Sequence, residues 1–393
     1  MKRVEWANAL RGVAALTVLV AHFGVVFWMN QTAAASLARR QQLYPGDSAA
    51  PRFARLLAAI PVDFGALGVA LFFLLSGYVI AISLDRYSRR GFIIGRVMRV
   101  IPTYAAGFLM TCAVIWAISD PNHELIPGHV LSGTIPGLSI VLGVNSPADG
   151  IVWTLIVELV FYVVCLLGYR SLTRRWYAIL AAGLACAAVQ FLIKGPATHL
   201  GQTIGGLSYL VLLACPFLPV MLIGVALSAH RRGQLGARAT ALLVPVLAAI
   251  HLTLLTTTTV VPTPLRYRLT FVGAIAAFTA IWAVGDHWRA HPVPDFFADI
   301  SYPLYVVHPV LGYTLLSLLA AGGLRAPAAV LVTTATVIVS AWLLHQVVEV
   351  PTHRLGQRWA RSIAYRPPVE ASAVAVEEQP ETVVEESLAR QAT

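Results

Sequence analysis

The stretch FGALGVALFFLLSGYVI, residues 64–80, decides the fold. No side chain between Phe64 and Leu84 is charged, and the run is long enough to cross the hydrocarbon core of a bilayer as a helix. A helix is the form such a run takes in lipid, because it satisfies its own backbone hydrogen bonds. Similar runs recur along most of the chain. Of its 393 residues 58% are hydrophobic and only 12% charged, against roughly 25% charged in soluble domains. A soluble protein of this composition would expose too much apolar surface. The chain is therefore expected to be an all-α, multi-pass integral membrane protein.

Ten candidate spans follow, near residues 7–28, 63–83, 101–118, 151–168, 177–193, 207–229, 239–257, 268–284, 299–320 and 328–348. The net charge of +10 is not gathered on a soluble face, so it does not point to nucleic acid. Its Lys and Arg lie in short blocks between apolar runs, and by the positive-inside rule they put both termini in the cytoplasm. The loop after the first span is the exception, with Arg39, Arg40, Arg52 and Arg55, and it is long enough to pack as a small cap. Cys112, Cys165, Cys186 and Cys215 all fall inside apolar runs, without disulfide or zinc spacing, and are expected to be small core residues. No metal site is expected. The first apolar run follows Lys2 and Arg3 as a signal peptide would, but its length favours a retained helix. The division expected is a transmembrane domain over 1–360 and a short tail over 361–393; from Pro367 that tail is acidic, lacks aromatic residues and is expected to be disordered in the cytoplasm.

Ionisable groups inside spans are costly and usually mark function. The first span holds Arg11 and His22 in LRGVAALTVLVAHF. Eleven residues are three turns plus about 20°, so the two share one face, about 16 Å apart along the axis. Taken singly, Arg11 would snorkel to the headgroups and His22 would make one interhelical hydrogen bond; taken together they mark a polar passage. In the second span Gly65, Gly68, Ser76 and Gly77 permit close helix approach. The basic stretch after it carries Arg86, Arg89, Arg90, Arg96 and Arg99. The first three read as topology, whereas Arg96 and Arg99, three apart on one helix before Pro102, suit a polyanion such as the phosphates of coenzyme A. In WTLIVELVFYVV from Trp153, Glu158 is a lone carboxylate with Thr154 and Tyr162 four residues to either side. It must be protonated, paired or beside a polar cavity. In ISYPLYVVHPVL, Ser301, Tyr305 and His308 share a helical face, while Pro303 and Pro309 free backbone groups. Glu349, Pro351 and Arg354 read as a structural clamp at the end of the last span, and His251 looks peripheral.

With Arg11 and His22 at their spacing, GVALFFLLSGYVI, RVMRVIP, WTLIVELVFYVV, and then SYPLYVVHP and EVPTHR, the chain resembles the membrane acyltransferase-3 family over about residues 5–355. That family O-acylates bacterial surface polysaccharides, lipid-linked sugars and related acceptors. The resemblance implies a ten-helix core in the bacterial cytoplasmic (inner) membrane. It implies an acyl-coenzyme A donor, with acetyl the expected acyl group, used as a co-substrate with no bound cofactor. It also implies a glycan or lipid-linked saccharide acceptor reached from the outer side. The essential Arg and His of the family map onto Arg11 and His22, the basic pair onto Arg96 and Arg99, and the fourth-span acid onto Glu158. Of its two layouts, the stand-alone one without a fused esterase-like domain is the match.

The mechanism expected is general-base catalysis of acyl transfer. His22 is the base for the acceptor hydroxyl, with Glu158 orienting it or balancing its charge. Arg11, Arg96 and Arg99 hold the donor, and Ser76, Trp153, Tyr305 and His308 line the passage. A transporter or flippase for a lipid-linked sugar is the competing class, since buried charges and broken helices fit that too; a scaffold is a third and does not need Arg11 and His22 on one face.

Overall fold

The computed structural model describes residues 5–38, 40–43, 50–118, 127–143, 152–193, 202–258, 260–285 and 291–363, and among these there is helix but no strand. Eight helices are long and apolar enough to cross a membrane, and a ninth crossing arises if one bent pair is counted as a single span. The protein is thus a multi-pass membrane protein. The fourth expected span, Val152–Gly168, is apolar but only 17 residues long. The acidic tail lies outside the described residues.

The long helices are α1 (Glu5–Leu19), α2 (Phe64–Arg86), α3 (Arg89–Ile118), α4 (Val152–Gly168), α5 (Trp176–Ile193), α6 (Gln202–Ala214), α7 (Leu218–Arg231), α8 (Ala237–Thr257), α9 (Leu265–Val284), α10 (Pro292–Asp299), α11 (Ser301–Ala321), α12 (Ala326–Leu344) and α13 (Val350–Ser362). Helix α2 starts where Asp63 caps it, its carboxylate accepting from the Ala66 N–H at 2.9 Å. It is the centre of the bundle, touching α1 at one crossing and α7 at another. At the α7 crossing a Cβ on Gly77 would fall 1.9 Å from the Met221 carbonyl oxygen, and one on Gly224 2.2 Å from that of Leu74. Two glycines, one from each helix, let the backbones touch, which is how helices associate where lipid supplies no hydrophobic drive. Gly68 does the same against α1, next to Val18 and the Ala14 carbonyl. Gly65 has looser neighbours, and Ser76 is spent on a hydrogen bond instead.

Several boundaries differ from the sequence reading. The basic stretch after α2 is already helical from Arg89, so α3 runs unbroken through Pro102 for 30 residues. The expected single span near 207–229 is the bent pair α6–α7, with a 50° bend at Cys215–Phe217. Pro216 forbids a continuous helix there. His251, expected at the periphery, is instead fully buried in α8, where it meets the Pro216 carbonyl at 2.6 Å. Past α12 the helix continues through a π-helical turn, His345–Glu349, into α13. Helix α13 lies along the first half of α3, with Gly91 against the Ala360 carbonyl and Gly356 against Met98. The charged ending is therefore a packed helix, not only a clamp. All four cysteines are buried, as expected. The loop after the first span folds back as short helices, Gln31–Ala38 and Arg52–Ala59, and Arg266 of α9 donates to the Ala58 and Val62 carbonyls at 2.7 and 2.5 Å.

Candidate functional site

Helices α1, α2, α3, α4 and α11 enclose a polar cavity of about 90 Å3. Arg11 comes from α1, Ser76 from α2, Arg99 from α3, Glu158 and Thr154 from α4, and Ser301, Tyr302 and Tyr305 from α11. Five stretches distant in sequence thus place two guanidiniums and one carboxylate in a single slot. Glu158 resolves the cost of its burial inside this slot. It accepts hydrogen bonds from Tyr162 Oη at 2.6 Å and Ser76 Oγ at 3.2 Å. Thr154 and Tyr305 are hydrogen-bonded hydroxyl to hydroxyl.

Arg99 also lines a second, larger groove of about 230 Å3, between the ends of α2 and α3 and the face of α13. Arg86, Arg96 and His353 contribute the remaining basic groups, with Tyr87 and Gln357 beside them. Arg96 is held there by a hydrogen bond to Ser83 Oγ at 2.5 Å, and its guanidinium lies over the rings of Phe92 and Tyr162 at 5.4 and 5.6 Å. Arg99 stands where groove and cavity adjoin. Arg96 belongs to the groove alone, so the two arginines that looked equivalent in sequence occupy different positions.

His22 is elsewhere. From Val20 to Val26 the first span widens into a π-helix, a local form that often accompanies functional sites. His22 sits in it, with Nδ1 2.8 Å from Tyr313 Oη and its ring 4.7 Å from that of His308, centroid to centroid. Arg11 and His22 do turn toward the same helix, α11, as their spacing required. Glu158 does not reach the imidazole. Its partners are Ser76 and Tyr162, in the cavity with Arg11. Phe72 and Tyr305 stand between the two regions: both line the cavity, and both line the void beside His308, which has no room for a water. The structure thus brings together Arg11, Arg99, Glu158, Ser76 and Tyr305, and separately His22 and His308.

Trp153 is in neither group. Its ring packs against Phe217 at 5.2 Å and Phe73 at 6.3 Å, at the bend between α6 and α7. Sequence reasoning passed over Tyr313 and Tyr302. Tyr313 lies five residues after His308, about 140° round the helix from it, so the periodicity that united Ser301, Tyr305 and His308 could not include it. Tyr302 donates to the Val100 carbonyl at 2.8 Å and lines the cavity from beside α3. His353 of the groove lies in the EVPTHR block, where sequence reasoning gave it no role, and Gln357 had no motif to announce it.

Comparison with known proteins bears on this geometry. The profile of a family described as an acyltransferase domain matches residues 4–345. The chain is 32% identical over 141 residues to the acyltransferase MdmB of Streptomyces mycarofaciens, an alignment covering 32% of this chain and 34% of that protein. It is 34% identical over 131 residues to the exopolysaccharide production protein ExoZ of Rhizobium meliloti (strain 1021), covering 32% of this chain and 40% of that protein. The matched regions thus span well under half of either relative. No solved structure matches.

Proposed function

This chain belongs to the membrane acyltransferase-3 family, and from that premise we propose that it moves an acyl group, acetyl by default, from acyl-coenzyme A to a hydroxyl of a cell-surface or lipid-linked saccharide. The observation that carries the proposal is the position of Arg99, shared by the basic groove and the narrow cavity. A coenzyme A thioester needs that layout. Its phosphates want several cations, its acyl arm wants a slot too narrow for the nucleotide, and the two must join. Arg86, Arg96 and Arg99 would take the phosphates, and Arg11 and Arg99 would face the thioester end.

In this reading the groove opens to the cytoplasm with both termini on the same side, and the chain sits in the bacterial inner membrane. Arg11 is the group placed to stabilise negative charge developing on the thioester oxygen. Glu158 balances the two cavity guanidiniums, in place of the role beside His22 that the sequence reading gave it. His22 is the base for the acceptor hydroxyl, which approaches from the opposite, outer side. Tyr305 and Phe72 then form the wall between donor and base, and transfer requires that wall to part.

The test is direct. Purified protein in liposomes receives acetyl-coenzyme A labelled in the acetyl group together with membranes from a strain lacking the gene. Mass spectrometry should find ester-linked label in a glycan or lipid-linked saccharide, and an Arg99→Gln protein should deliver far less. A folded wild-type protein that neither transfers the label nor hydrolyses the thioester would overturn the reading.

A further inference from the structure

In a regular helix the Tyr305 carbonyl would accept from the N–H of residue 309. That residue is Pro309, which has none. His308 fills the gap: its Nδ1 lies 2.8 Å from the Tyr305 oxygen and 3.1 Å from the Leu304 oxygen. Carbonyl oxygens only accept, so Nδ1 carries the ring proton. A neutral imidazole protonated at Nδ1 has a bare lone pair at Nε2. His308 is 0% exposed, and that Nε2 has no hydrogen-bond partner among the described residues. A buried, unpartnered acceptor needs a reason to be kept.

The surroundings narrow the reason. The rings beside His308 are His22 at 4.7 Å, Tyr305 at 5.6 Å and Phe23 at 6.3 Å. Phe23 has no polar atom, and the Tyr305 hydroxyl is engaged with Thr154. The void beside His308 is otherwise lined by apolar side chains such as Ala15, Leu19 and Phe72 and by Ser301, whose hydroxyl donates to the Ala298 carbonyl at 2.8 Å. That leaves His22 as the neighbouring ring with a proton to exchange.

We propose that His308 is the proton partner of His22, held by Pro309 in the tautomer whose bare Nε2 is open to a proton from His22 once that base has become charged. The proposal rests on the reading of His22 as the base. In the transfer step the acceptor oxygen bonds to the acyl carbon and the thioester C–S bond breaks, its electron pair leaving on sulfur. The hydroxyl proton passes to His22 Nε2, while His22 Nδ1 stays with Tyr313. When the acceptor oxygen has given up its proton, the Nε2–H of the His22 imidazolium turns to His308 Nε2, which accepts it until the departing thiolate takes the proton. His308 is then a positioning residue that acts through His22, not a lining of the donor passage.

Two measurements test this on the full-length protein in liposomes. Solid-state NMR with ring-15N histidine, assigned by the signals a His308→Asn protein loses, should show His308 protonated at Nδ1. A Pro309→Ala protein, which returns an N–H to Tyr305, should shift His308 toward the Nε2–H form and slow acyl transfer. Kinetically, Asn at 308 keeps a donor for the Tyr305 carbonyl but removes the acceptor, and kcat should fall about 100-fold with KM for acetyl-coenzyme A unchanged. Gln at 308 places an oxygen near the Nε2 position and should retain kcat to within about tenfold of wild type. An Nε2–H signal for wild-type His308 overturns the proposal whatever the activity, and so do equal losses in the Asn and Gln proteins. A wild-type protein that shows the Nδ1–H signal but transfers no acyl group defeats the reading of the function and leaves the tautomer assignment standing. Should the Asn protein not fold, Gln at 308 supplies the assignment and Pro309→Ala carries the kinetic comparison.

Discussion

The two ends of the first span are built differently. Around Arg11 the helices stand apart, and three charged groups share a cavity of about 90 Å3 that adjoins a basic groove. Around His22 the helix itself is widened into a π-helix, its partners Tyr313 and His308 are buried, and the void beside His308 has no room for a water. One end is preformed for a ligand, and the other is packed shut. Preformed charge is stable where opposite charges share one cavity, as Glu158 does with Arg11 and Arg99. A base kept closed avoids the thioester hydrolysis that water would bring. On the proposed reading the contrast is that of a binding end and a chemical end joined by one helix, and each end should fail in its own way.

The sharpest break is His22→Ala. It should lower kcat by about 100- to 10,000-fold, the usual worth of a general base, with KM for acetyl-coenzyme A and direct donor binding unchanged. Loss of donor binding in that protein would show that the two ends are not separate. Arg99→Gln should do the reverse. A hydrogen bond to a charged group is worth about 1.5–3 kcal/mol, so donor affinity should weaken by about 10- to 100-fold with a smaller change in kcat, as read by calorimetry and steady-state kinetics. Arg96→Gln should follow the same direction more weakly, because Arg96 lines the groove but not the cavity.

The sequence shows the membrane class at once, since long uncharged runs have no other stable use. It shows the face shared by Arg11 and His22, because regular α-helix runs to Leu19 and the π-helical turn begins only two residues before His22. Contacts between helices were harder. Depth along the membrane allowed Glu158 and His22 to meet, but depth says nothing about which helices are neighbours, and α2 and α11 hold the two apart. The expected span began only near residue 101 because the charge from Arg89 onward marks topology, although Arg is a good helix former. Proline was misread in both directions. Pro216 bends what seemed one span, while Pro303, expected to free a backbone group, lies in the first turn of α11 where no N–H is needed. Of the two prolines of α11 it is Pro309 that empties a carbonyl, and its consequence for His308 depends on a side-chain position that no spacing rule contains.

The finest test of the contrast is the wall itself. Tyr305 lines both regions and its hydroxyl bonds Thr154, so Tyr305→Phe removes that tie while keeping the ring between cavity and histidines. A neutral hydrogen bond contributes about 0.5–1.5 kcal/mol, so a purely structural tie would cost a little thermal stability and leave the chemistry alone. If the wall must part during turnover, releasing the tie should also raise thioester hydrolysis in the absence of acceptor by about two- to tenfold, the same energy expressed as a population of the open state. Hydrolysis that rises while stability falls marks Tyr305 as the moving part. Hydrolysis unchanged in a slightly less stable protein would mean that donor and base meet by another route, with α11 shifting as a whole past α4.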